Sequence, residues 1–275
     1  PGPYTIASRY VEKSVGWPPG TVTVYRDTSE PPGVAATIGS TRGAGNRTPP
    51  VSAMRSPVSA ASGSGRGLTI PMSDRVGSAP NVDVTAEDIG TVLRAAHTRR
   101  VVLFGASECG PACIRFAVDQ SRVVAGLILF GSLARGSWAP DHPYALRANQ
   151  FDAWRQQLVA EWGGPAGIET FAPSLCRDPQ AKAWWAGLLR AASSPGGISA
   201  VLEAFRDTDV RHLLPRVSVP TLVLHRRGDR AVRFEAGRDM ASRIRSAEFV
   251  ELDGNDHWFV AGDQQPVLAA IKRFV

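Results

Sequence analysis

Leu103-Phe104-Gly105-Ala106-Ser107-Glu108-Cys109-Gly110-Pro111 decides how this chain folds. The apolar run Val101-Val102-Leu103-Phe104 stops at small residues, and a serine follows with Gly105 and Cys109 two positions to either side. A helix-type segment begins straight after. This is the pattern of a nucleophile elbow, a sharp strand-to-helix turn that lifts one side chain above a sheet. Small flanking residues are needed because the backbone passes close to its neighbours there. A hydroxyl at this place sits near a helix N-terminus, whose free N–H groups and dipole favour an oxyanion. The usual G-x-S-x-G form would put glycine where Cys109 stands, whereas here glycine comes one residue later, at Gly110. A buried strand ending in a polar turn would look much the same, so the rest of the chain must decide between the two.

Working outward, Thr85-Ala86-Glu87-Asp88 starts a helix, with Thr85 as N-cap and Asp88 at the capping-box position. Ile89, Val92, Leu93 and Ala96 give that helix its apolar face. Arg99 to Phe104 and Val123 to Phe130 are near-continuous apolar strands, and the helix Pro111 to Asp119 lies between them. Apolar strands alternating with helices predict a parallel sheet covered on both faces. Further strands are expected at Val219 to His225 and Ala247 to Leu252, with helices at Ala231 to Arg245 and Pro266 to Val275. Residues 136–210 break the rhythm with a helical stretch containing Trp154, Trp162, Trp184 and Trp185, interrupted at Gly163-Gly164-Pro165 and Ser194-Pro195-Gly196-Gly197. The expected organisation is therefore an α/β core at 82–135 and 211–275, a helical cap at 136–210, and an atypical, partly disordered segment at 1–81.

Within that first segment, Thr21 to Tyr25 alternates like a strand and Tyr4 to Val15 could hold another. Residues 28–82 are rich in Gly, Ser, Pro, Thr, Ala and Arg, and neither strand nor helix period persists. They read as coil or disorder, like sequence from a shifted frame or a degenerate segment, with the first strands of the sheet missing or degenerate.

Composition narrows the function classes. At 275 residues and 43% hydrophobic, the chain can bury one large α/β core. Of its 31 basic residues only Lys13, Lys182 and Lys272 are lysines, and the arginines are scattered. With no basic stripe interleaved with aromatics, nucleic acid is not the expected partner despite a net charge of +6. Cys109, Cys113 and Cys176 have no His or carboxylate at metal-site spacing, so no metal or cofactor is expected, and the first two read as small buried hydrophobes. No apolar run reaches membrane-spanning length and no signal peptide is visible, so the expected location is cytoplasmic.

An activated serine needs a base, and the base needs an orienting group. Among His97, His142, His212, His225 and His257, the best base is His257, which follows the strand Ala247 to Leu252 through Asp253-Gly254-Asn255-Asp256. His225 lies inside a strand and reads as a packed residue. Asp229 follows the preceding strand in His225-Arg226-Arg227-Gly228-Asp229 and is the expected orienter, whereas Asp253 and Asp256 are too close in sequence to His257 to aim at its far nitrogen. All three candidates fall just beyond strands, on the edge where α/β sheets bind ligands.

Ser107, Asp229, His257 in that chain order, with Gly228-Asp229-Arg230-Ala231-Val232 as acid loop and Leu252 to His257 as histidine loop, resembles the α/β-hydrolases of the esterase/lipase and proline-iminopeptidase-like group. More narrowly, Ser107 to Pro111, Leu129-Phe130-Gly131-Ser132 and Ser73-Asp74-Arg75 resemble the hydrolase domain fused to mycobacterial adenylate/guanylate cyclases. The chain stops at Val275, about where that cyclase domain would start. The resemblance implies a serine hydrolase acting on a small-molecule ester, and the Trp-containing insertion, as a cap over the site, suggests an apolar acyl group. Ser107 would be the nucleophile, His257 the base, Asp229 the orienter and the Glu108 backbone N–H one oxyanion donor. It also places a second donor in an early loop, often His-Gly, which this sequence lacks; Val15-Gly16-Trp17-Pro18 is a distant echo of a related motif. Two further readings follow: a silent hydrolase-like binding or regulatory module, motivated by the irregular N-terminal part, and an aminopeptidase.

Overall fold

The computed structural model describes residues 81–96 and 98–275, together with the backbone of 22–26, 34–39, 59–60 and 66–71. Eight strands form one sheet: β1 (Val22–Arg26), β2 (Val34–Gly39), β3 (Ser59–Ala60), β4 (Arg66–Pro71), β5 (Val101–Ala106), β6 (Val124–Phe130), β7 (Thr221–Arg226) and β8 (Ala247–Leu252). Their spatial order is β3-β4-β2-β1-β5-β6-β7-β8. β5 to β8 pair in parallel, as does β2 with β4. β1 runs antiparallel to both β2 and β5, with Val22 opposite Gly105.

Three of these strands correct the expectation of coil over 28–82. The segments at 34–39 and 66–71 are short, the first ending at Gly39 and the second holding Gly67 and ending at Pro71, so no periodic window stands out. Strands of this kind are fixed by their ladder partners more than by propensity. The strand read at Thr21 to Tyr25 is present as β1. Tyr4 to Val15, Val15-Gly16-Trp17-Pro18 and Ser73-Asp74-Arg75 lie outside the described residues.

Side-chain alternation sorts the sheet's two faces. Leu103, Leu127, Leu129 and Val223 point to one side, into a core shared with helices α1 (Val82–Ala95), α2 (Gly110–Asp119) and α7 (Phe234–Ser242). Phe104, Ile128, Phe130, Leu222 and Leu224 point to the other, where α8 (Gln265–Phe274) supplies Val267, Ala270 and Ile271. Helix α1 starts three residues before the expected cap: Asn81 Oδ1 accepts from Val84 N at 2.9 Å, and Thr85 sits inside the helix. Asparagine outranks threonine as an N-cap, and Asp83 adds a favourable charge in the first turn.

Between β6 and β7 the chain makes a helical excursion: α3 (Ala148–Ala160), the short α4 (Ile168–Phe171), α5 (Pro179–Ala192) and α6 (Pro195–Arg206). Its two ends run side by side. Gly136 N donates to Thr208 O at 3.0 Å and Val210 N to Ala134 O at 2.8 Å. Arg135 and Arg211 both bond Asp209 Oδ2, at 2.7 and 2.8 Å. Although burial alone would raise the Asp209 carboxyl, the Arg211 hydrogen bonds bring it down to about 2. The excursion carries its own apolar cluster, centred on Phe151, Ile168, Trp185 and Leu189, which continues into Trp258 beside the histidine loop.

Candidate active site

The elbow forms as a strained turn. Ser107 leaves β5 with φ +51°, the only non-glycine positive φ among the described residues. Such backbone costs of order 1–3 kcal/mol and persists only where its surroundings hold it. Two close approaches do so. A Cβ on Gly105 would lie 2.9 Å from Cys113 Sγ and 3.0 Å from Gly110 Cα, so helix and strand meet without a spacer. A Cβ on Gly110 would fall inside Ser132, 2.7 Å from its Cβ and closer still to its Oγ. The glycine that the turn demands is therefore Gly110, and Cys109, 1% exposed, packs in the core instead. Burial raises the pKa of both Cys109 and Cys113 well above a free thiol's, consistent with packed rather than reactive groups.

Ser132 follows the end of β6 and is fully buried. Its Oγ donates to Ser107 O at 2.7 Å, and Gly110 N donates to the same carbonyl. In a trans peptide the carbonyl and the next N–H point in opposite directions. Fixing Ser107 O toward Ser132 therefore turns the Glu108 N–H to the opposite side of that peptide unit.

Ser107, His257 and Asp229, far apart in sequence, form one hydrogen-bonded chain. His257 Nε2 lies 2.8 Å from Ser107 Oγ, and Nδ1 lies 2.7 Å from Asp229 Oδ2. An ionised carboxylate only accepts, so Nδ1 carries the proton and Nε2 offers its lone pair to the serine hydroxyl. The other carboxylate oxygen of Asp229 accepts from Ala231 N at 2.9 Å and Val232 N at 3.0 Å. Burial works against the Asp229 charge, yet His257 and His225 more than compensate, and its carboxyl is held well below the usual range. For His257, burial disfavours the charged ring, but the Asp229 carboxylate overrides it and the net shift is upward. Gly131, at φ +53°, leaves the room this pair needs: a Cβ there would sit 3.2 Å from the His257 ring and 3.3 Å from Asp229 Oδ2.

The other candidates fall elsewhere. Asp253 is exposed and lies within ion-pair reach of Arg227. Asp256 Oδ1 accepts from Ser174 N at 2.9 Å. His142 sits buried in the loop between β6 and α3, His212 in the turn Arg211–Arg216, and His97 outside the described residues. His225 is packed within β7, as expected, but it also takes part in the site. Its Nε2 bonds Val232 O at 2.9 Å and lies 3.5 Å from Asp229 Oδ2, so its N–H end faces the carboxylate.

Several participants carried no signal of their own in the sequence. Gly131 and Ser132 stand out only through the resemblance. The helical excursion reaches the histidine on both flanks: besides the Asp256–Ser174 bond, Trp258 N donates to Phe171 O at 2.8 Å, and the Phe171 ring centre is 5.9 Å from that of His257. Among the described residues no group of three or more His, Cys, Asp or Glu is arranged to hold a metal ion, and no helix is long and apolar enough to cross a membrane.

No protein-family model matches the chain. A curated relative, the AB hydrolase superfamily protein YisY of Bacillus subtilis, is 28% identical over 211 residues, which is 74% of this chain and 76% of the relative. The pimeloyl-[acyl-carrier protein] methyl ester esterase of Vibrio atlanticus is 28% identical over 171 residues, 59% of this chain and 65% of that protein. Among solved structures, an esterase from Exiguobacterium antarcticum superposes with TM-score 0.67 at 22% identity, over 76% of this chain and 81% of its own. Sheet, elbow and likeness agree that the chain has the α/β-hydrolase fold.

Proposed function

We propose that this protein is a serine hydrolase that cleaves carboxylic esters through an acyl-enzyme. The observation that carries the reading is the continuous chain from Ser107 Oγ through His257 to Asp229, at 2.8 and 2.7 Å, mounted on a serine with φ +51°. Ser107 Oγ attacks the ester carbonyl carbon while its proton passes to His257 Nε2. The tetrahedral oxyanion faces the Glu108 N–H at the start of the helical turn. When the intermediate collapses, His257 returns the proton to the departing alcohol. Water then gives its proton to His257, attacks the acyl carbon, and releases the acid as Ser107 recovers its hydrogen. Asp229 keeps the proton on Nδ1 and stabilises the imidazolium formed at each step. The aromatic excursion over residues 136–210 acts as a cap and favours an apolar acyl group, and the fold of an esterase with TM-score 0.67 is in keeping with this chemistry.

A fluorophosphonate probe tests the reading directly. Labelling that Ser107→Ala abolishes, together with turnover of nitrophenyl esters in preference to aminoacyl anilides, supports an esterase. Preference for the anilides would make the protein a peptidase. Folded protein that takes up no probe would be a silent hydrolase-like module.

A further inference from the structure

Arg226, the last residue of β7, is buried to 1% exposure. Its Nη1 donates to Asp256 O at 2.9 Å and Trp258 O at 3.1 Å, and its Nη2 to Asp263 O at 3.3 Å. The first two carbonyls belong to the residues immediately before and after His257. Phe130 closes the other side, its ring centre 5.4 Å from the guanidinium carbon. None of these bonds goes to a carboxylate. Stripping water from a cation costs several kcal/mol, and here carbonyl dipoles of a single loop replace it. The guanidinium fork suits this task, because its several donors lie in one rigid plane.

We propose that Arg226 is a positioning residue of the hydrolase reading given above: its guanidinium clamps the carbonyls flanking His257, holds the ring at hydrogen-bond distance from Ser107 Oγ, and sets a fixed positive charge beside the imidazole. The inference rests on that reading for its catalytic consequence, but the clamp itself does not.

The charge and the fork have separable effects. The groups acting on the imidazole are Asp229 after β7 and Glu108 after the elbow, which favour the charged ring, and Arg226, which opposes it. Asp256 turns its carboxylate oxygen to Ser174 N, His225 stands behind Asp229, and the cap side presents the uncharged Phe171. Removing the Arg226 charge leaves the two carboxylates less opposed, so His257 holds its proton to higher pH. The acid limb of kcat then moves upward, because only the neutral ring accepts the serine proton. A lysine keeps the charge, but its single nitrogen cannot replace both Nη1, on the carbonyls of Asp256 and Trp258, and Nη2, on Asp263 O, so it leaves the limb in place while loosening the loop that carries the ring.

Arg226→Gln and Arg226→Lys are compared with wild type, active sites being counted by fluorophosphonate titration. For Arg226→Gln we expect the limb at higher pH and kcat about 10–100-fold lower, with KM within about threefold. For Arg226→Lys we expect a comparable loss of kcat with the limb unmoved. His257 is titrated in parallel by NMR of its ring protons in the Ser107→Ala background, which needs no activity. An unmoved His257 titration in folded Arg226→Gln overturns the proposal, as does wild-type kcat per titrated site in either folded variant or a loss that only lowers the folded fraction. If Arg226→Gln does not fold, Arg226→Lys decides: wild-type kcat there removes the clamp. Absence of probe labelling in wild type would instead defeat the hydrolase reading, and the NMR titration would still judge Arg226.

Discussion

Replacing Gly110 by alanine tests why the elbow's glycine stands one place late. An added Cβ would lie 2.7 Å from Ser132 Cβ, where ordinary contacts are 3.4–4 Å, and still closer to Ser132 Oγ. In a helix, Gly→Ala alone would gain about 1 kcal/mol. Overpacking typically costs about 1–3 kcal/mol, and this overlap belongs at or beyond the top of that range. Displacing Ser132 also breaks its bond to Ser107 O, a further loss of about 1 kcal/mol. The net expectation is a loss of about 2–3 kcal/mol, or a fall in Tm of about 4–12 °C for a domain of this size. Ser132→Gly alone should cost about 1–2 kcal/mol through the same lost bond and a freer backbone. The double variant Gly110→Ala/Ser132→Gly removes the obstacle, and the nearest remaining neighbour is Leu129 Cδ2 at 3.4 Å. It should therefore be no less stable than Ser132→Gly, a coupling of about 2–3 kcal/mol. Urea and thermal unfolding of the four proteins measure this, with the probe-labelling rate reporting on Ser107. If the two single losses simply add, the close approach of Gly110 to Ser132 is not what demands the glycine.

Cys109→Gly, which restores the common G-x-S-x-G spelling, should bring no faster labelling and should destabilise by about 1–2 kcal/mol, since it empties a core position; denaturant midpoints and labelling rates report both. Asp229→Asn should lower kcat by about 10³–10⁴-fold and move the acid limb to lower pH, because the carboxylate that lifts His257 is gone; a kcat–pH profile shows both changes. The same pair shapes stability against pH. The raised His257 contributes fully below its unfolded pKa of about 6.5 and loses that contribution as pH rises through its folded value, whereas the depressed Asp229 contributes fully above about 3.9 and loses it on acidification. Urea midpoints measured from pH 3 to 9 should therefore slope less on both sides in Asp229→Asn. Asp256→Ala removes the partner of Ser174 N and should cost about 1–3 kcal/mol; hydrogen exchange should quicken first at the amides of residues 171–175.

How far the site was legible depended on how local its causes are. Ser107, Asp229 and His257 each end a strand whose apolar run or turn chemistry is visible within ten residues, and their chain order completed the pattern. Gly110 and Ser132 meet across the joint between β5 and β6, and no window containing one reveals the other. Arg226 looked like one more scattered arginine, because a buried guanidinium held by carbonyls leaves no charge pattern in sequence. The strands at 34–39 and 66–71 are hard to read for a related reason: short and glycine-bearing, they show themselves by pairing with each other and not by a periodic pattern of their own. Helix α1 is capped at Asn81 and not at Thr85 through a local competition, in which two residues can each cap and the stronger one does.

The three groups of the proposed triad come from three loops, and each is held by something other than the other two. Ser107 is strained against Ser132 and Gly110; Asp229 is anchored by the amides of Ala231 and Val232; His257 hangs between Arg226 in the core and Phe171 and Ser174 of the helical excursion. The histidine is thus the one member shared between core and excursion. Any displacement of residues 168–175 pulls on the Asp256 carboxylate and the Trp258 peptide, to either side of its ring, while Arg226 resists from below the loop. Weakening the excursion's hold should therefore show in kcat before it shows in global unfolding. Asp256→Ala separates these readouts, because its lost bond lies at the rim while the Arg226 clamp stays whole. If kcat and the unfolding midpoint fall strictly together across a denaturant series, the excursion and core act as one body and the histidine is not the joint between them.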